Sequence, residues 1–235
     1  MTANRFDLTG RVALVTGGNK GLGRALAFGL AAAGADLVLA SRNAGELEAT
    51  LAEILAATGR RGVAIPFDAA DRASVAHLGA EAVRRMGRVD VLVNNAGMNA
   101  PQAIDAIDDA TWDRVLEVNL SAVMALTRAV VPGMKERRNA YSASKSALMG
   151  LCRASAIDLG PFGVTVNCLA PGPFLTDMPA SVLTAAEKET FADHTCLGRW
   201  ASPDELVGPA LMLASDAGSY VTGTTLFVDG GYCAR

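Results

Sequence analysis

Short apolar runs bounded by Gly and Asp alternate, from the first strand-like segment onward, with segments of helical period. They are Val12 to Thr16 then Leu22 to Ala33, Leu37 to Ala40 then Glu46 to Ala57, Val63 to Phe67 then Val75 to Met86, and Val89 to Val93. The strand-like runs are continuously apolar rather than alternating. Burial on both faces follows, as in a parallel sheet lying between two layers of helices. The pattern predicts an α/β fold: a doubly wound parallel sheet in a three-layer α/β/α arrangement, with residues 1–235 as one domain.

Further along, Trp112 to Val131 reads as a long helix and Tyr141 to Leu159 as a second. Gly163 to Cys168 is a strand, followed by a loop and helical segment to about Leu197, a helix over Pro203 to Ala214 and a last strand over Thr225 to Val228. Two helices in succession break the alternation. A strand of about 5 to 6 residues and two loops of roughly 2 to 6 belong between them, and only Lys135 to Ala140 is available. A parallel sheet cannot leave a central position open without stranding backbone donors and acceptors in the core. The expectation is that on the order of fifteen residues are missing between Arg138 and Asn139, left out of the sequence rather than deleted from the protein. An intact mass above 24.2 kDa would show it.

Composition narrows the function classes. With 235 residues, 51% of them apolar, the chain can bury one large core. A net charge of −3 without a basic tract argues against nucleic acid as a partner. Met1 to Gly10 lacks the layout of a secretory signal, and the richest apolar stretch, Ala25 to Ala40, is interrupted by Gly34 and Asp36. The expectation is a soluble cytoplasmic protein with no membrane contact. Cys152, Cys168, Cys196 and Cys233 are scattered, and His77 and His194 are the only histidines, so no metal site is expected and no cysteine is given a role.

Candidate chemistry begins where the first strand ends. In Thr16-Gly17-Gly18-Asn19-Lys20-Gly21-Leu22-Gly23, glycines allow a tight turn and bring backbone N–H groups to a pyrophosphate at the next helix N-terminus, which marks dinucleotide binding. At the end of the second strand the chain reads Ala40-Ser41-Arg42, with no carboxylate to repel a 2′-phosphate. Arg42, aided by Lys20, can pair with that phosphate, which favours NADP (NADPH) over NAD. Asn94-Asn95-Ala96-Gly97 closes the fourth strand at the cofactor edge. Asn119 lies midway along the long helix, where an amide is equally suited to local hydrogen bonding. Tyr141 and Lys145, in Tyr141-Ser142-Ala143-Ser144-Lys145, are expected one helical turn apart, where the ammonium would lower the phenol's pKa and make Tyr141 a usable acid or base.

Together with Pro171-Gly172-Pro173, these segments resemble the short-chain dehydrogenase/reductase family along essentially the whole chain, which implies its Rossmann fold. By that resemblance Tyr141 is the catalytic acid, Lys145 also binds the nicotinamide ribose, and Asn119 holds a proton-relay water. Asp68 lies near the adenine, Asn95, Ala96 and Gly97 line the adenosine side, and Pro171, Gly172, Phe174 and Thr176 grip the carboxamide. The resemblance also implies a homotetramer built partly by the last strand, after Tyr220-Val221-Thr222-Gly223, and a substrate lid at about 175–200. The family's substrate-orienting serine belongs on the fifth strand, within the missing block; Ser142 and Ser144, read as part of the tyrosine's own helix, are not expected to replace it.

The implied reaction interconverts a ketone and a secondary alcohol, with hydride moved by the nicotinamide and a proton by Tyr141. The expected substrate is a small carbonyl or alcohol compound, free or carrier-bound: the sequence is similar to 3-oxoacyl thioester reductases and equally to gluconate or sugar-acid dehydrogenases. A catalytically silent NADP-binding or scaffold protein is the alternative from another class.

Overall fold

The computed structural model describes residues 4–100, 108–135, 140–143, 146–176 and 183–234. Among these described residues seven strands form one parallel sheet: β1 Val12–Thr16, β2 Asp36–Ser41, β3 Gly62–Pro66, β4 Val91–Asn94, β5 Ala140–Ala143, β6 Thr165–Pro171 and β7 Thr225–Val228, in the order β3-β2-β1-β4-β5-β6-β7. The helices are α1 Gly21–Ala32, α2 Ala44–Thr58, α3 Arg72–Met86, α4 Asp109–Leu116, α5 Ala122–Lys135, α6 Ser146–Leu159, α7 Ala185–His194 and α8 Val207–Ala214.

The helix ends follow from local chemistry. Asn43 accepts from the Glu46 N–H at the start of α2, and Asp71 accepts from Ala73 at the start of α3. Gly59 and Gly87 close the same two helices at φ of 68° and 78°, in the left-handed region where a side chain would be strained. Core residues lie on both faces of the sheet. Leu14, Val38 and Leu92 pack toward α3 and α5, while Ala13, Leu37 and Leu39 pack toward α1 and α2. Burying each such leucine is worth roughly 1.5–3 kcal/mol. Asp90, fully buried, accepts from the Val12 N–H at 2.8 Å and ties β4 to the start of β1.

The expected alternation holds through β4 and again from β6 to the end. The centre differs. Tyr141, read as the first residue of a helix, lies on β5, with its Cα in register with Leu92 of β4 and Val166 of β6; helix α6 starts only at Ser146. Ser142 therefore lies on the fifth strand, in register with Val93 and Asn167, and not on the tyrosine's helix. The physical reason is the requirement seen in the sequence itself. A strand must stand between β4 and β6 to satisfy their inner edges, and 140–143 is the segment within reach. Local helical period loses to two ladders of backbone hydrogen bonds.

The long helix is also interrupted. Glu117–Ser121 forms one π-helical turn between α4 and α5. The stretch Asp109–Pro132 is long and apolar enough to span a bilayer by length and composition, yet Leu126 and Val130 are buried against the sheet and α5 packs on α3.

Candidate active site

The carboxyl ends of β1, β2 and β4 meet at one edge of the sheet, and the expected cofactor turn is built there. Gly17 and Gly21 have φ of 65° and 54°. At Gly23 a Cβ would stand 2.1 Å from the Gly17 carbonyl oxygen and 2.5 Å from Asn95 Nδ2, so only glycine lets the first turn of α1 close against the end of β1. Asn95 locks the same corner: its Nδ2 donates to the Thr16 and Gly17 carbonyls at 3.0 and 3.2 Å. Thr16, absent from the expected site residues, is the hub. Its Oγ1 accepts from the Asn95 and Ala96 N–H groups at 3.1 and 3.0 Å and donates to Val93 O at 3.3 Å. The signal available for it was its place at the strand end, immediately before Gly17.

Asn19 faces α2 rather than the cleft alone. Its amide donates to Glu46 Oε2 at 2.8 Å, and its carbonyl accepts from Thr50 Oγ1 at 3.0 Å. These bonds hold the glycine-rich turn from outside. Lys20 is exposed, and a cleft of roughly 520 Å³ runs between Lys20, Gly21 and Arg24 on one side and Leu175, Thr176 and Asp204 on the other. A Cβ on Gly21 would lie 3.7 Å from the Thr176 side chain, so the turn and the 172–176 segment form opposite walls.

At the end of β2, Ser41 is 8% exposed, and its Oγ has no hydrogen-bond partner among the described residues. Arg42 beside it is exposed and likewise makes no ion pair or hydrogen bond among them. A buried hydroxyl left unpaired costs about 1–3 kcal/mol, which an oxygen-rich ligand would relieve. With the glycine cradle, this fits a nucleotide carrying phosphate on its ribose. Asp68 turns inward at the end of β3: its Oδ1 accepts from Ala70 N at 2.9 Å while its own N–H donates to Ser74 Oγ.

Asn119 sits in the π-helical turn and pairs reciprocally with Met98 in the segment after β4. Nδ2 donates to Met98 O and Oδ1 accepts from Met98 N, both at 2.9 Å. The amide is thus a brace between the long helix and the β4 loop that carries Gly97. π turns recur at functional sites because the extra residue redirects side chains.

Tyr141 and Lys145 are not brought together as one face of a helix. The backbone at Tyr141 is strand, two residues below Ala143, which is level with Asn94 at the sheet edge; Lys145 lies outside the described residues. Pro171 ends β6. Gly172 follows with its N–H donating to Val228 O at 3.0 Å, and a Cβ there would meet Asp229 at 2.6 Å. Phe174 is buried and bridges to Ala201. Of the segment 175–200, expected as a lid, residues 177–182 lie outside the described residues. The remainder is anchored at its base: Trp200 Nε1 donates to Lys188 O at 2.8 Å, and the Arg199 guanidinium grips both Glu205 oxygens at 2.7 and 2.8 Å, which holds the Glu205 carboxyl down at about 2.

Comparison with known proteins agrees with this geometry. A family model described as short chain dehydrogenase matches residues 11–140, and one described as enoyl-(acyl carrier protein) reductase matches 134–233. The chain is 35% identical to a 2-dehydro-3-deoxy-D-gluconate 5-dehydrogenase of Dickeya dadantii, covering 100% of both chains. That alignment runs over 256 positions against 235 residues here, so the relative has residues this chain lacks. It is also 35% identical to a gluconate 5-dehydrogenase of Gluconobacter oxydans, covering 96% of each. The crystal structure of a gluconate 5-dehydrogenase from Burkholderia cenocepacia, in complex with NADP and tartrate, superposes with a TM-score of 0.91 at 36% identity, over 99% of this chain and 98% of that one. The chain belongs to the short-chain dehydrogenase/reductase family of oxidoreductases.

Proposed function

We propose that this protein is an NADP-preferring dehydrogenase that interconverts a ketone and a secondary alcohol on a sugar acid of the gluconate type. The cofactor preference is carried by one observation: the buried, unpartnered hydroxyl of Ser41 beside the exposed guanidinium of Arg42, with no carboxylate at the end of β2. The sugar-acid class rests on the relatives named above. It displaces the 3-oxoacyl thioester reading, which their similarity supports only in the generic sense of a carbonyl reductase.

The bound nicotinamide would supply the hydride acceptor or donor. The chain's own groups do the rest. Gly17 to Gly23 and Asn95 bind and orient the pyrophosphate and adenosine side. Pro171 to Thr176 closes over the nicotinamide, the segment 175–200 forms the substrate lid, Tyr141 exchanges the proton with the substrate oxygen, and Lys145 holds the nicotinamide ribose. Asn119 positions the loop through Met98 and completes the proton path. The shortfall in length against the relatives falls, in this reading, between Arg138 and Asn139. Trp112, Leu116 and Met124, exposed on α4 and α5, and Phe227 on β7 suit a homotetramer, and four free cysteines suit the cytoplasm.

Initial rates with NADP⁺ and NAD⁺ on gluconate and 2-dehydro-3-deoxygluconate, beside acetoacetyl thioesters with NADPH, test the assignment. Faster turnover of the sugar acids with NADP⁺ is expected, and thioester turnover alone would overturn the substrate class. A second reading, NADPH binding without turnover, has one observation in its favour: the backbone of Tyr141 is committed to β5. Saturable NADPH binding with no product from any substrate would establish it.

A further inference from the structure

We propose that Tyr232, in the turn after β7, is a positioning residue for the substrate: its ring seats helix α7 as one wall of the substrate cleft. The proposal rests on the reading of 175–200 as the substrate lid. α7 has little of its own to hold it in place. None of the residues of Ala185–His194 is buried, and its capping box pairs Thr184 with Glu187 inside the same segment. A helix of this length is marginal in water when alone. Its seat is therefore decided by a few side-chain contacts, and these are aromatic. Phe191 stacks on Tyr232 with ring centroids 6.3 Å apart and planes 19° apart, and meets Trp200 edge-on at 5.9 Å. The His194 ring lies 6.2 Å from that of Tyr232. Phe191, His194 and Trp200 all belong to 175–200; Tyr232 is the ring of this cluster that comes from outside the segment.

The turn that carries Tyr232 is rigid before the ring is used. Asp229 accepts from the Gly231 N–H at 2.9 Å and from the Cys233 N–H at 3.0 Å, and the Tyr232 N–H donates to the Asp229 carbonyl at 3.1 Å. Gly230 and Gly231 have φ of 63° and 81°, and a Cβ on Gly231 would stand 2.8 Å from Cys196 Sγ, so the backbone passes directly against the chain leaving α7. There the Leu197 N–H donates to Gly230 O at 3.2 Å and the Cys196 thiol to Gly231 O at 3.4 Å. On its other side the turn meets the segment after β6, through Gly172 N–H on Val228 O and the close approach of Gly172 to Asp229.

One turn thus touches both the segment read as gripping the nicotinamide and the helix read as covering the substrate. Tyr232 sets the spacing between them. An aromatic pair of this geometry shifts the balance between a seated and an unseated helix by about two- to tenfold. Since the ring touches the lid and not the cofactor turn at Gly17 to Gly23, its loss should fall on substrate binding rather than on NADPH.

The test compares full-length parent, Tyr232→Ala, Tyr232→Phe and Phe191→Ala in two assays. With gluconate and NADP⁺, Tyr232→Ala should raise KM for the sugar acid by about five- to tenfold with kcat and NADPH affinity within about twofold, and Tyr232→Phe, which keeps the ring, should restore the parent KM. In limited trypsin digestion followed by mass spectrometry, cleavage after Lys188 within α7 should be about five- to tenfold faster in Tyr232→Ala and at the parent rate in Tyr232→Phe. Phe191→Ala removes the other ring and should reproduce both effects, so it decides the matter if Tyr232→Ala does not fold. The proposal is overturned if cleavage is unchanged, if Tyr232→Phe behaves as Tyr232→Ala, if cleavage quickens with KM unmoved, or if NADPH affinity falls as far as KM rises. The digestion does not depend on the dehydrogenase reading. A parent without turnover counts against that reading and removes the KM arm, while faster cleavage after Lys188 with rescue by Tyr232→Phe still upholds the seating of α7 by the ring.

Discussion

The edge formed by β1, β2 and β4 and the centre formed by β4, β5 and β6 are organised in opposite ways. At the first, each strand end is fixed by its own neighbourhood. Thr16 Oγ1 gathers Asn95 and Ala96, Asn95 clasps the Gly17 carbonyl, and Gly23 lets the helix close. At the second, Ala140–Ala143 is held in the sheet by pairing to strands far away in sequence, and its own residues carry a helical period. Local chemistry builds the cofactor edge; the unsatisfied backbone of the neighbouring strands builds the centre. The cofactor edge should therefore respond to single side chains, and the centre to the supply of chain.

The sharpest division between the two is expected from Tyr141→Phe. Loss of the phenolic proton should lower turnover by roughly 10²–10⁴-fold with NADPH affinity within a few-fold of the parent, measured by steady-state rates and fluorescence titration; equal loss of both would erase the distinction. Gly23→Ala attacks the other side. Its Cβ would need the space of the Gly17 carbonyl at 2.1 Å, and a strain of about 1–3 kcal/mol should weaken NADPH binding by up to roughly 100-fold and lower the melting temperature. Arg42→Ala should be milder and selective, lowering the NADP over NAD preference in kcat/KM by about ten- to thirtyfold while leaving NAD turnover unchanged.

The smallest effect belongs to the Arg199–Glu205 pair. Glu205 titrates at about 2 when gripped by Arg199, against 4.5 unpaired, so its contribution is present above pH 4.5 and fades as pH falls toward 2. The pair is exposed and its worth small. Glu205→Gln should narrow the stability difference between pH 6 and pH 3 slightly in thermal melts, with no change in NADPH binding.

This contrast also decides what could be read from the chain. β1 and β7 fall where apolar continuity and turn residues put them, and the Gly17 to Gly23 turn announces its ligand by type and spacing. The deficit between the long helix and Gly163 was visible as a count of residues. Which segment fills it was not, because Tyr141 to Leu159 satisfies a helix locally and nothing within it reports the open edges of β4 and β6. Thr16 and the Asn119–Met98 brace escaped for a related reason: each is a pairing across 21 or more positions whose partners look ordinary alone.

The π turn at Glu117–Ser121 has a consequence for how such a site can be gained or lost. A π turn takes up one surplus residue within a single loop of helix, so the flanking α4 and α5 keep the angular phase of an uninterrupted rod. Leu126, Val130 and Met134 accordingly still point to the core, while Asn119 is swung out to reach Met98. Removing one residue from 117–121 would anneal the rod into a regular helix with its core stripe intact and the brace gone. Insertion and deletion here act as a toggle on the site that the packing behind it scarcely registers.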